Sequence, residues 1–62
     1  MNELMACFGD HSWVYWKTDE NNCEWAIEEL FNAMESNGIN ADNLTVTRAE
    51  LRDENENVID EV

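Results

Sequence analysis

The chain reads as an α+β domain, a small antiparallel sheet in ββαββ order with one helix packed on one face. Three stretches carry this reading. Trp13-Val14-Tyr15-Trp16 is an aromatic and β-branched run of the kind that fits a pleated strand. Apolar residues from Cys23 to Met34 recur at helical spacing and stop before Gly38. Beyond them, Thr45-Val46-Thr47 and Val58-Ile59 are strand formers separated by turn residues.

Residues 3–18 are expected to form a β-hairpin. Gly9-Asp10 suits a two-residue type II′ turn, because glycine comes first and supplies the positive φ. That register pairs Phe8 with His11, Ala6 with Trp13 and Leu4 with Tyr15 on one face. Cys7 with Ser12 and Met5 with Val14 then lie on the other, along with Trp16. The first strand is the weaker of the two, since Glu3 to Ala6 equally suits the start of a short helix.

Residues 22–37 read as the helix. Asn21 with Glu24 three later has the form of a capping box. Cys23, Ala26, Ile27, Leu30, Ala33 and Met34 make one apolar face, with Ile27 and Leu30 expected to be buried. Gly38 is the left-handed residue of a Schellman stop, which places Ile39 opposite Met34.

The last third allows two readings. Residues 44–53 and 57–61 form a second hairpin around Asn55-Glu56-Asn57, with a bulge near Thr47-Arg48 where the apolar phase slips. The rival is a helix capped at Thr47, with Leu51, Val58 and Ile59 on one face. The hairpin is preferred.

With 62 residues, no proline and no linker or repeat, residues 1–62 are expected to make a single compact domain. A chain of about 60 residues buries only about 60% of its unfolded surface, so its stability is marginal. Yet 44% of the residues are apolar, too many for a disordered acidic tail. Cys7 and Cys23 are too few for a disulfide framework and have no zinc spacing. No signal-like segment and no apolar run near a membrane span is read, so a cytoplasmic location is expected.

No metal or cofactor is expected. Asp53, Asn55 and Asn57 copy the first ligand positions of a calcium loop, but Val58 stands where the glycine should be. Cys7, His11 and Cys23 would still lack a fourth ligand for a closed zinc site. Catalysis is not expected either. There is one histidine, and Ser12 and Ser36 sit in turn-like or helix-end contexts without a base beside them. Carboxylates doing acid and base work need different surroundings to part their pKa values, and so small a fold has little concave volume to supply them.

Charge is the dominant feature, with 15 Asp and Glu against 3 Lys and Arg and a formal net charge of −12. Such a field repels nucleic acid and anionic membranes and attracts basic protein surfaces. On the helix, Glu24, Glu28 and Glu35 form an outward stripe, with Asn32 in the gap and Glu20 continuing it toward the N-terminus. Residues four apart rise about 6 Å and seven apart about 10.5 Å, within side-chain reach of successive phosphates along a nucleic-acid strand. A second cluster, Glu50, Asp53, Glu54, Glu56, Asp60 and Glu61, is expected to edge the sheet, with Asp60 and Glu61 in a mobile tail. Arg48 and Arg52 among these carboxylates read as local counter-ions. One helix covers only one face of the sheet, so part of Trp13, Tyr15 and Trp16 should stay exposed, with Trp25 off the main helical stripe. Exposed aromatics of this kind suit an interface.

In size, charge and α+β pattern the chain resembles the small acidic proteins that phages and mobile elements direct against host machinery. These include nucleic-acid-mimicking anti-CRISPR and anti-restriction proteins and short inhibitors of host RNA polymerase. Glu24, Glu28, Glu35 and the acidic cluster of residues 50–61 carry the resemblance, which rests on no diagnostic motif. Leu44-Thr45-Val46-Thr47-Arg48 is also similar to the last strand of one short phage polymerase inhibitor, from whose pattern the extra acidity and tail depart. The resemblance implies a non-enzymatic inhibitor whose partner is a basic nucleic-acid-binding protein: a nuclease, CRISPR effector, polymerase or repressor. Its contacts would be Glu20, Glu24, Glu28, Glu35, Glu50, Asp53 and Glu54, with Trp13, Trp16 and Trp25 as apolar anchors. The alternative is a small assembly module that forms a homodimer through its aromatic face.

Overall fold

A computed structural model describes residues 1–9 and 12–62. Its elements run β1 (Asn2–Phe8), β2 (Trp13–Thr18), α1 (Cys23–Ser36), β3 (Val46–Arg52) and β4 (Val58–Glu61). The four strands form one sheet in the order β2-β1-β3-β4, antiparallel throughout. The expected α+β class and ββαββ order are therefore the architecture of the chain, with α1 between the two hairpins.

One face of the sheet carries the core. Leu4, Ala6 and Phe8 of β1 and Ala49 and Leu51 of β3 are buried there against Cys23, Ala26 and Leu30 of α1. Small residues at Ala6, Ala26 and Ala49 let the helix sit close to the two central strands, while Leu4, Leu30 and Leu51 supply the bulk. Phe8 and Phe31 stack at the edge of this core with ring centroids 6.2 Å apart, within the favourable range for aromatic pairs. Ile27, expected to be buried, is only partly so and flanks the core.

The first hairpin differs from expectation by one residue. The Gly9-Asp10 turn and the Phe8–His11 pair fall partly outside the described residues. The strands beyond them pair Cys7 with Trp13, Ala6 with Val14, Met5 with Tyr15 and Leu4 with Trp16. The Phe8 N–H donates to the Ser12 carbonyl at 2.9 Å, in agreement with that register. A one-residue slip moves every side chain of a strand to the opposite face. Val14 and Trp16 therefore join the core side, and Trp13 and Tyr15 project from the open side. Trp13-Val14-Tyr15-Trp16 is apolar in both phases, so alternation alone does not choose between the two registers.

The helix begins one residue later than the expected cap. Asn22, extended at φ −143°, accepts the Trp25 N–H on its side chain. Asn21 instead accepts from the Asn2 side chain across the sheet. The stop is as expected. Gly38 has φ 78°, its N–H donates to the Glu35 carbonyl, and the Ile39 N–H donates to the Met34 carbonyl.

The tail is a hairpin. Register shifts between Cys7/Phe8 and Arg48/Val46 leave Thr47 as an extra residue in β3, at the site of the expected bulge. The Thr47 hydroxyl donates to the Cys7 carbonyl at 3.2 Å. A second irregularity lies between β3 and β4, where Leu51 faces Asp60 and Arg52 faces Val58. Asp53 organises the turn, accepting the N–H groups of Asn55 at 2.8 Å and Asn57 at 3.0 Å on one carboxylate oxygen. These bonds hold the Asp53 carboxyl below the usual aspartate range, the Asn57 N–H first among them.

Candidate functional site

Sheet register and helix phase divide the charge of the molecule. Lys17 and Arg52 both lie opposite Glu3, and Arg48 lies opposite Cys7, so all 3 Lys and Arg residues project from the open sheet face. Lys17 pairs with Glu3 at 3.3 Å and Arg52 with Glu50 at 2.6 Å. Arg52 is thus the local counter-ion expected, while Arg48 has no ion-pair partner among the described residues. From residue 18 to residue 47 there is no Lys or Arg at all.

The helix side is correspondingly uncompensated. Glu24, Glu28 and Glu35 are exposed, as is Asn32 between them. At about 100° per residue these four project on the flank of α1 that faces β4, beside Ile27 and Phe31. They rim a groove of about 590 Å³ whose apolar floor is Ile27, Phe31 and, from the end of the sheet, Val62. None of the three carboxylates takes part in an ion pair among the described residues. The groove is therefore an apolar trough under a rim of three carboxylates and one amide, with no basic residue in its lining.

The second acidic cluster does different work. The Asp60 carboxylate accepts the Cys23 N–H at 2.7 Å, a helix N-terminal bond made across the sheet. This overturns the expectation that Asp60 lies in a mobile tail, since it belongs to β4 and anchors α1. Glu54 binds the N-terminal ammonium, which lowers its pKa, and Glu50 is engaged by Arg52. Asp53 is committed to the turn. Glu20 lies just before α1, half-buried, with its carbonyl accepting from Asn2 at 2.9 Å. Of the proposed acidic contacts, Glu24, Glu28 and Glu35 are brought together. Glu20, Glu50, Asp53 and Glu54 are dispersed.

The aromatics divide in the same way. Trp13 is 44% exposed, Tyr15 59% and Trp25 61%. Trp13 and Tyr15 lie two residues apart on the open sheet face beside Met5, Arg48 and Glu61, and Trp25 stands on the outer side of α1. Trp16 packs against the core, and its indole N–H donates to Glu29 at 2.8 Å. Sequence reasoning missed both Glu29 and Asp60 as partners. These bonds span 13 and 37 residues, and local spacing holds no signal for either.

The two cysteines lie on opposite sides of the sheet. Cys7 projects with Trp13 and Arg48 on the open side, and Cys23 is fully buried beneath α1. They do not converge on a metal position, and His11 lies outside the described residues. Burial, reinforced by Asp60, pushes the Cys23 thiol up to about 11. It is a neutral core side chain rather than a nucleophile.

Among the described residues, no helix is long and apolar enough to cross a membrane. No family model, curated protein or solved structure matches the chain.

Proposed function

We propose that the chain is a non-enzymatic acidic inhibitor that occupies a basic, nucleic-acid-binding surface of a larger protein and blocks it competitively. The observation that carries this reading is the separation of charge. Glu24, Glu28 and Glu35 stand free on one flank of α1, while the few cations are gathered on the opposite side of the sheet. Like charges four apart on a helix destabilise it by a few tenths of a kcal/mol, and an interleaved lysine would ordinarily relieve them. A partner groove built to hold phosphates would receive this flank, with Trp25 beside it as an apolar contact. In keeping with the resemblance to phage and mobile-element inhibitors, the setting proposed is host takeover or anti-defence in a host cytoplasm.

The test is capture of host proteins on the immobilised chain, eluted by a salt gradient and challenged with duplex DNA and with RNA. Binding should weaken steeply as salt rises, and nucleic acid should displace the captured protein. Capture that ignores both salt and nucleic acid would sink the proposal.

A second reading is favoured by the adjacent exposed rings of Trp13 and Tyr15 with Met5 on the open sheet face. It makes this face the seam of a homodimer, with the net charge keeping the assembly soluble. Sedimentation separates the two readings, because an apolar seam holds or tightens as salt rises.

A further inference from the structure

We infer that the groove between α1 and the β4 end of the sheet receives a cationic amphipathic segment of the partner, one that presents a large apolar side chain flanked by lysine or arginine. The inference rests on α1 being the partner-facing element, as proposed above, and adds the chemistry of what it grips. A surface that only imitated phosphate would need carboxylates on a polar ground. Here Glu24, Glu28 and Glu35 border an apolar floor of Ile27, Phe31 and Val62, in a recess of about 590 Å³. Val62 is 73% exposed, and the floor lies open beside it. The rim carries one sign of charge, and nothing within residues 18–47 neutralises it. Charge complementarity therefore selects a basic occupant, and the floor selects an apolar anchor within that occupant. A nucleic-acid strand fails on the first count, and a purely polybasic segment leaves the floor unused. A second copy of this chain fits poorly, since its cations lie on the open sheet face among Glu3, Glu50 and Glu61.

The test uses the intact ¹⁵N-labelled protein and two synthetic helical peptides of about four turns. One is built of leucine and lysine with its leucines on one face. The other has the same lysines, with every leucine replaced by glutamine. The leucine peptide should bind about tenfold tighter or more at near-physiological salt. It should shift the amide signals of residues 24–35 and Val62 while leaving β2 unmoved. Val62→Glu adds charge at an exposed floor position and spares the fold. It should weaken the leucine peptide while leaving the glutamine peptide equal or tighter. Equal affinities for the two peptides, both mapping to α1, would overturn the groove and leave the acidic flank standing as a partner surface. Shifts confined to Met5, Trp13 and Tyr15 would overturn both. Self-association of the free protein through residues 24–35 would overturn the inference in favour of a second copy.

Discussion

The Asp60 carboxylate receives the backbone N–H of Cys23, the first residue of α1, at 2.7 Å across 37 residues of chain. The contact joins the edge strand to the start of the helix, where four N–H groups lack intrahelical partners and the helix dipole favours an anion. With Asn22 serving the Trp25 N–H, two of those groups are satisfied by side chains. Asp60→Ala is expected to destabilise the fold by about 1–2 kcal/mol, with Asp60→Asn costing less because an amide oxygen can still accept. Urea melts of both variants check this ordering. A null result for Asp60→Ala would show that Asn22 alone holds the helix start.

Burial of Cys23 carries a pH signature. Its thiol is raised from 9.0 to about 11 in the folded chain. Below pH 9 the thiol is neutral folded and unfolded alike, so it adds no pH dependence there. Above 9 the unfolded chain releases this proton and the folded chain retains it, so stability falls as pH rises toward 11. The urea midpoint should therefore drop across this window more steeply in the native protein than in Cys23→Ala. The comparison isolates the thiol, because every other group is common to the two proteins. Parallel slopes would show that the thiol is not held neutral by the fold.

Glu56 adopts φ 65° in the turn between β3 and β4, a left-handed conformation that costs an ordinary residue roughly 1–2 kcal/mol. The hydrogen bonds from Glu56 to Asp53, and between Asp53 and Asn57, close the turn around it. Glu56→Gly should stabilise the domain by about 0.5–1 kcal/mol, the relief being partly offset by the greater freedom of glycine in the unfolded chain. On a domain of this size that amounts to a rise of a few degrees in melting temperature. A lower melting temperature would mean that the glutamate side chain contributes a contact that outweighs the backbone relief.

Legibility in the sequence followed the range of the interactions. The helix, its Schellman stop at Gly38 and the bulge at Thr47 depend on local spacing, and all three were readable. The register of β1 against β2 was not, because residues 13–16 are apolar in both phases and the pattern fits either pairing. Asn22 displaced Asn21 as the cap because Asn2 of the first strand engages Asn21, a contact visible only once the sheet is formed. The acidic flank of α1 followed from helix phase alone. Its apolar floor did not, since Val62 comes from the far end of the chain.

The charge on α1 supplies the sharpest functional prediction. Replacing Glu24, Glu28 and Glu35 together by Gln preserves size and removes three exposed charges, while the Glu24–Glu28 repulsion is relieved by a few tenths of a kcal/mol. The fold should be as stable or slightly more so in a thermal melt. Binding to the basic partner should nevertheless fall, mainly through a slower on-rate, since charge steers the encounter. Asp60 is unsuitable as a control because it holds the start of α1. The suitable control neutralises Asp19, Asp42 and Glu56, which are exposed, line no part of the groove and remove the same net charge. If only the long-range field matters, the two triple variants lose binding equally. If α1 is the contact surface, the helix variant loses more, and its residual binding becomes less sensitive to salt. A helix variant that binds as tightly as the native chain would reduce the flank to a solvated surface and end the proposal of mimicry.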